Sequence, residues 1–218
     1  MHNNLVNLQE INKEIYSKDD DINKSVKIIA VSKTFKIDKI IPLINNGHIH
    51  FGENKVQEAQ DKWPNIIVLN KNIKLHMIGK LQTNKVKYAV KLFDYIHSVD
   101  SLKLAKKIDL EQKKIDKDIR LFIQVNIDNE TQKNGIAFNE VENFHNQISN
   151  EMKMNVVGLM CIPSIDSNKK IAYEKMKEMN AKLGLTELSM GMSSDYKEAI
   201  NQGSTFVRIG SKIFGNRI

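Results

Sequence analysis

The chain has 218 residues, 41% of them apolar, with 10 Gly, 3 Pro and a formal charge of +7. That is enough apolar material for a sizeable core and too little Pro and Gly for a long disordered linker. The positive charge comes from scattered lysines with few aromatics among them, so no nucleic-acid surface is expected. A single cysteine, Cys161, excludes an internal disulfide and a multi-cysteine zinc site, and it fits a reducing compartment. The N-terminus lacks a signal-peptide core, and no run reaches the roughly 18 apolar residues of a membrane helix. A cytoplasmic monomer without a membrane anchor is expected.

In chain order, Leu5, Leu8, Ile11 and Ile15 recur at helical spacing, and Asp19-Asp20-Asp21 breaks the pattern. KIIAVSK (27–33) then reads as a strand buried on both faces. Strand-like and helix-like segments alternate from there. The strands are HIHFG (48–52), KLHMIG (74–79), YIHSVD (95–100), IRLFIQVNI (119–127), MNVVGLMCIP (154–163), TELSMG (186–191) and TFVRIG (205–210). The helices between them are 53–63, 84–92, one capped by Ser101, 138–148, 171–184 closed by Gly184, and 195–203. A short segment, SKIFGNRI, ends the chain.

Strict alternation implies a parallel sheet with helices outside, and eight units most simply close into a (β/α)8 TIM-type barrel. A doubly wound open sheet is the rival, but it would need a Gly-rich turn after the first strand, where Ser32-Lys33-Thr34-Phe35 stands instead. The expected organisation is one barrel domain over 1–218, with 1–26 as an N-terminal helix and lead-in.

Functional residues of such a barrel lie at the C-terminal ends of its strands. Lys33 ends an apolar strand. It is either a lysine that snorkels to water or an amine nucleophile in a desolvated site. The loops after the last two strands, Gly191-Met192-Ser193-Ser194 and Gly210-Ser211, carry what a phosphate cradle needs: close backbone approach and hydroxyl donors. The same residues also serve ordinary turns and caps. Arg208 shares one strand face with Phe206, where a charge is costly unless paired. It is either a structural arginine or a donor to an anion or a ring nitrogen.

An amine, a phosphate cradle and an inward arginine together point to a phosphorylated aldehyde. The segments AVSKT, FGENKVQE, LHMIGKLQTNK, GLMCIP, LSMGMSSD and VRIGSKIFG resemble the pyridoxal 5′-phosphate (PLP)-binding proteins of the PLP-homeostasis family. That family is similar to the N-terminal barrel of alanine racemase, and the resemblance covers about residues 27 to 217. It implies PLP held as a Schiff base on Lys33, with Arg208 facing the pyridine nitrogen. It further implies that Ser193, Gly210 and Ser211 hold the phosphate and that Asn54 and Met190 line the pocket. Ser211 replaces the threonine often found there, keeping the hydroxyl.

Arginine can only donate, so it leaves the pyridine nitrogen unprotonated and weakens the electron sink. Related racemases take a catalytic base from a second domain, which is not expected in a chain ending at Ile218. None of Tyr16, Tyr88, Tyr95, Tyr173 and Tyr196 is placed to replace it. The reading is therefore PLP storage and delivery, with apo PLP-dependent enzymes as partners. The alternative is a weakly active PLP-dependent amino-acid racemase. A metal-dependent hydrolase would use His48 and His50, but Arg208 after the eighth strand is hostile to a metal. Cys161 reads as a small buried residue and Trp63 as packing.

Overall fold

The computed structural model describes residues 3–16, 26–130 and 132–215. The acidic run 19–21 and the last three residues lie outside them. Helix α1 (Asn3–Tyr16) buries Leu8, Ile11 and Ile15 of the expected stripe, while Leu5 is only partly buried. Strand β1 (Lys27–Val31) follows, then helix α2 (Ile41–Asn45), β2 (His50–Glu53), α3 (Val56–Lys62) and α4 (Pro64–Leu69). Next come β3 (Lys74–Met77), α5 (Val86–Leu92), β4 (Tyr95–Val99), α6 (Leu102–Lys113), β5 (Arg120–Asn126) and the two-residue β6 (Ile136–Ala137). The chain continues with α7 (Val141–His145), β7 (Val156–Cys161), α8 (Lys169–Lys182), β8 (Glu187–Met192), α9 (Tyr196–Asn201), β9 (Phe206–Ile209) and α10 (Ser211–Phe214).

All strand pairings are parallel, and β1 pairs both β2 and β9. The β4–β5 pairing closes the ring, so β1–β5 and β7–β9 form an eight-stranded barrel with β6 as a short extension beside β5. This is the expected TIM-type barrel with its N-terminal helix.

The structure adds two helices that the apolar pattern did not show, α2 and α4. Pro42 and Pro64 sit in their first turns, where the missing N–H has no intrahelical partner to lose. The expected helix over 138–148 is instead wound three ways: a 3₁₀ turn at Phe138–Glu140, α7, and a π-wound turn at Asn146–Glu151. Val141, Phe144 and Ile148 nevertheless stay buried along it.

Strand alternation divides the core into two shells. Ile28, Ala30, Phe51, Leu75, Leu188, Met190, Val207 and Ile209 belong to the large shell between sheet and helices. Ile29, Tyr95, Phe122, Met160 and Phe206 form a smaller cluster inside the barrel. The interior is thus packed with rings, for example His97 on Phe122 at 4.2 Å and His76 on Tyr95 at 4.3 Å. Such a filled barrel leaves room for a ligand only at its mouth.

Candidate functional site

The mouth at the C-terminal strand ends holds a cavity of about 540 Å³. Lys33, Asn54, Ser193, Arg208, Gly210 and Ser211 all line it, together with Val31, Phe35, Ile78, Ile162, Met192, Ser194 and Gly215. Six of the seven residues expected at the site from sequence therefore converge on one space, although they come from four separate parts of the chain.

Lys33 follows β1 in the parity that puts Ile29 inside the barrel, and it is half-buried at the cavity wall. The chain turns sharply after it: Thr34 takes a left-handed φ of 69°. Asn54 follows β2. Its Oδ1 is buried and has no partner among the described residues. Gly79 holds it closely from the next strand, since a Cβ there would stand 2.4 Å from the Asn54 carbonyl oxygen. A buried acceptor left unmatched at a cavity wall calls for a donor from a ligand.

The far wall comes from the loops after β8 and β9. Ser193 Oγ lies 3.3 Å from the Gly210 amide and 3.5 Å from the Lys212 amide, so hydroxyl and backbone N–H groups gather at one point. The first of these loops is shaped by Gly191, whose φ of 87° and contact with Ala199 leave no room for a Cβ. Asp195 then fastens it. Its carboxylate accepts from the Met192 amide at 2.6 Å and from the Tyr173 hydroxyl at 3.0 Å, and it pairs with Lys169 at 2.9 Å. These donors hold Asp195 below the usual carboxylate range despite its burial.

The course of β8 corrects one expectation. Met190 does not line the cavity. It lies in the outer core with Leu188, and after the turn at Gly191 it is Met192 that reaches the mouth. Strand parity, carried through to Ser189, would have shown this.

Arg208 forms the floor. It is buried, with Nη1 donating to Ser189 O and Oγ, both at 2.7 Å, and Nη2 donating to Cys161 O at 2.8 Å. Burial works against its charge. Behind it runs a chain of imidazoles: Ser189 Oγ to His97 Nδ1 at 2.8 Å, His97 Nε2 to His76 Nδ1 at 2.9 Å, and His76 Nε2 to His50 Nδ1 at 3.0 Å. Burial pushes His50 down to about 4 and His76 and His97 well below their ordinary value, so all three are neutral near pH 7. One proton assignment satisfies every partner. Ser189 accepts from Arg208 and donates to His97, and each imidazole carries its proton on Nε2. His48 stands apart, with Nε2 against the His50 carbonyl at 2.9 Å. Among the described residues, no three metal-ligating side chains gather.

Cys161 is fully buried in the outer core, and burial pushes its thiol up to about 12. No tyrosine lines the cavity among the described residues. Phe35 at the mouth was not anticipated. It stacks on Phe214 at 4.9 Å, joining the turn after Lys33 to α10, and no spacing pattern marks that contact.

Fold and site together define a class: a parallel barrel whose mouth presents an amine, an inward guanidinium and a cradle of hydroxyl and amide donors. Residues 6–217 match the family described as "Alanine racemase, N-terminal domain". The pyridoxal phosphate homeostasis protein of Pasteurella multocida is 33% identical over 98% of this chain and 96% of its own length. That of Escherichia coli K12 is 33% identical over 89% and 87%. The structure of PipY from Synechococcus elongatus, solved with PLP bound, superposes with a TM-score of 0.85 at 31% identity, over 97% of this chain and all of that one. An alanine racemase of Clostridium difficile shares the fold at TM-score 0.73 and 15% identity, and this chain covers 56% of it. The chain belongs to the family of the pyridoxal phosphate homeostasis proteins, within the alanine racemase N-terminal domain barrels.

Proposed function

We propose that this protein binds PLP at the barrel mouth as a Schiff base on Lys33, and that it stores and delivers the cofactor rather than running fast amino-acid chemistry. The observation that carries the reading is the convergence of Lys33, Arg208, Ser193, Gly210 and Ser211 on one cavity. Cavity and group fit. Ser193 and the nearby amides of Gly210 and Lys212 match a phosphate, the Arg208 guanidinium matches a ring nitrogen as a pure donor, and the buried Asn54 Oδ1 can accept from a ligand.

When bound, PLP supplies an aldehyde and a conjugated ring. The Lys33 nitrogen would bond to the aldehyde carbon, and the carbonyl oxygen would leave as water with two protons from nitrogen. A second amine reverses the exchange and releases the cofactor. An apo-enzyme lysine would do the same, which is how a store can also deliver.

Arg208 cannot give its proton to the ring nitrogen, so the electron sink stays weak. The absence of tyrosine from the cavity wall among the described residues likewise favours holding over racemisation. We place this activity in the cytoplasm with the protein as a monomer. No helix among the described residues is long and apolar enough to cross a membrane.

Borohydride reduction of the PLP-mixed protein, followed by peptide mapping, tests the reading. The expected result is a phosphopyridoxyl group on the Lys33 peptide. Failure to bind PLP, or rapid turnover of an amino acid, overturns it.

A further inference from the structure

On the helix side of β1 and β2, behind the cavity wall, lies a buried charge cluster. Glu53 is fully buried. Its Oε1 accepts from Ser32 Oγ at 2.7 Å, Lys62 Nζ at 2.9 Å and Trp63 Nε1 at 3.0 Å. Lys62, nearly as buried, also donates to Glu58 Oε1 at 3.0 Å and to the Ser32 carbonyl at 2.9 Å. Glu58 Oε1 in turn accepts the Thr34 amide at 2.5 Å. The residues on both sides of Lys33 are thereby tied to one ammonium.

A buried ion pair is a poor way to stabilise a fold, because desolvation offsets the attraction and an apolar replacement of equal volume often does as well. This pair is also incompletely matched, since Glu53 Oε2 is buried without a partner among the described residues. What the cluster does accomplish is local. It holds the Ser32 carbonyl and the Thr34 amide across a turn whose left-handed Thr34 the chain would not otherwise favour. That turn decides where the Lys33 side chain enters the cavity.

We propose that Lys62, acting through Glu53 and Glu58, is a positioning residue. It sets the Ser32-Lys33-Thr34 turn so that the Lys33 amine meets a carbonyl carbon, while the phosphate cradle binds independently of it. The inference rests on the reading of Lys33 as the Schiff-base lysine. A misplaced nucleophile loses rate steeply although binding contacts persist.

The test uses the full chain and two ligands. PLP reports bond formation, through the rate at which the Schiff-base absorption appears and the yield of borohydride trapping. Pyridoxine 5′-phosphate lacks the aldehyde and reports the cradle alone, by calorimetry. In Glu58→Ala and Lys62→Met, Schiff-base formation should slow about tenfold or more. Affinity for pyridoxine 5′-phosphate should not change, and Lys62→Arg should recover much of the rate. Lys62→Met strands a buried carboxylate and can fail to fold. Glu58→Ala avoids this, because the Thr34 amide it releases is exposed and turns to water. An unchanged rate in folded Glu58→Ala overturns the proposal, and so does a parallel loss of pyridoxine 5′-phosphate affinity. A wild-type protein that traps no PLP on Lys33 would sink the underlying reading itself, an outcome distinct from either.

Discussion

Arg208 and Ser189 meet twice, through the serine carbonyl and through its hydroxyl, each at 2.7 Å from the same guanidinium nitrogen. The bond to the hydroxyl orients everything behind it. Ser189 Oγ accepts from the arginine and keeps its own proton for His97; with that assignment the protons of His97 and His76 point on toward His76 and His50. The floor of the site and the interior of the barrel are one polar network.

Ser189→Ala should therefore cost more than a surface hydroxyl. It removes one acceptor from a buried guanidinium and the donor to a buried imidazole. The expected loss is about 1–3 kcal/mol, read as a lower urea midpoint at unchanged slope. A midpoint equal to wild type would mean that the network does not hold the floor.

The histidine chain makes stability depend on pH in a definite direction. His76 and His97 stay neutral in the folded barrel well below pH 6.5, whereas in the unfolded chain each protonates as pH falls past that value. The stability they contribute is full above about pH 6.5 and declines below it, by roughly 1.4 kcal/mol per pH unit for each histidine. His50 follows the same direction until about pH 4. Urea titrations at about pH 7.5, 6 and 5, which bracket the free-histidine range, check this. The midpoint should fall at each step, and more gently in His97→Phe.

Lys33→Ala should separate holding from recognition. The variant lacks the amine, so mixing with PLP should give no Schiff-base colour and no borohydride adduct. The cradle at Ser193 and Gly210 is untouched, so pyridoxine 5′-phosphate should bind as it does to wild type. Loss of both would assign Lys33 a structural role.

Gly191→Ala should do the converse. An added Cβ would stand 2.5 Å from the Ala199 side chain, on a backbone at φ 87° that alanine disfavours. The loop must shift, carrying Ser193 with it. Strain of about 1–3 kcal/mol corresponds to a loss of pyridoxine 5′-phosphate affinity of roughly 5- to 150-fold. Unaltered affinity would show that the cradle does not depend on this turn.

Much of the architecture was legible because barrel strands and their helices announce themselves locally. Apolar runs of KIIAV and VVGLMC type, separated by helical spacing, need no knowledge of the rest of the chain. Helices α2 and α4 were not, because short proline-initiated helices with few buried residues carry almost no periodic signal. Lys33, Arg208 and the serine loops were found because each ends a strand, and strand ends of a closed parallel barrel share one mouth. Met190 was misplaced because its place was taken from motif position, whereas strand parity from the inward Ser189 turns it outward; the left-handed Gly191 then brings Met192 to the mouth.

The sequence by itself determined the barrel and pointed to Lys33, Arg208 and the serine loops as its chemically distinctive strand ends, since these follow from alternation, spacing and side-chain chemistry. Only the tertiary structure decided what stands behind them. Lys62 and Thr34 are 28 positions apart, and His97 and Ser189 are 92, yet each pair joins one network. Hydrogen bonds between buried polar groups depend on distances that closure of the barrel creates, and no local pattern encodes them.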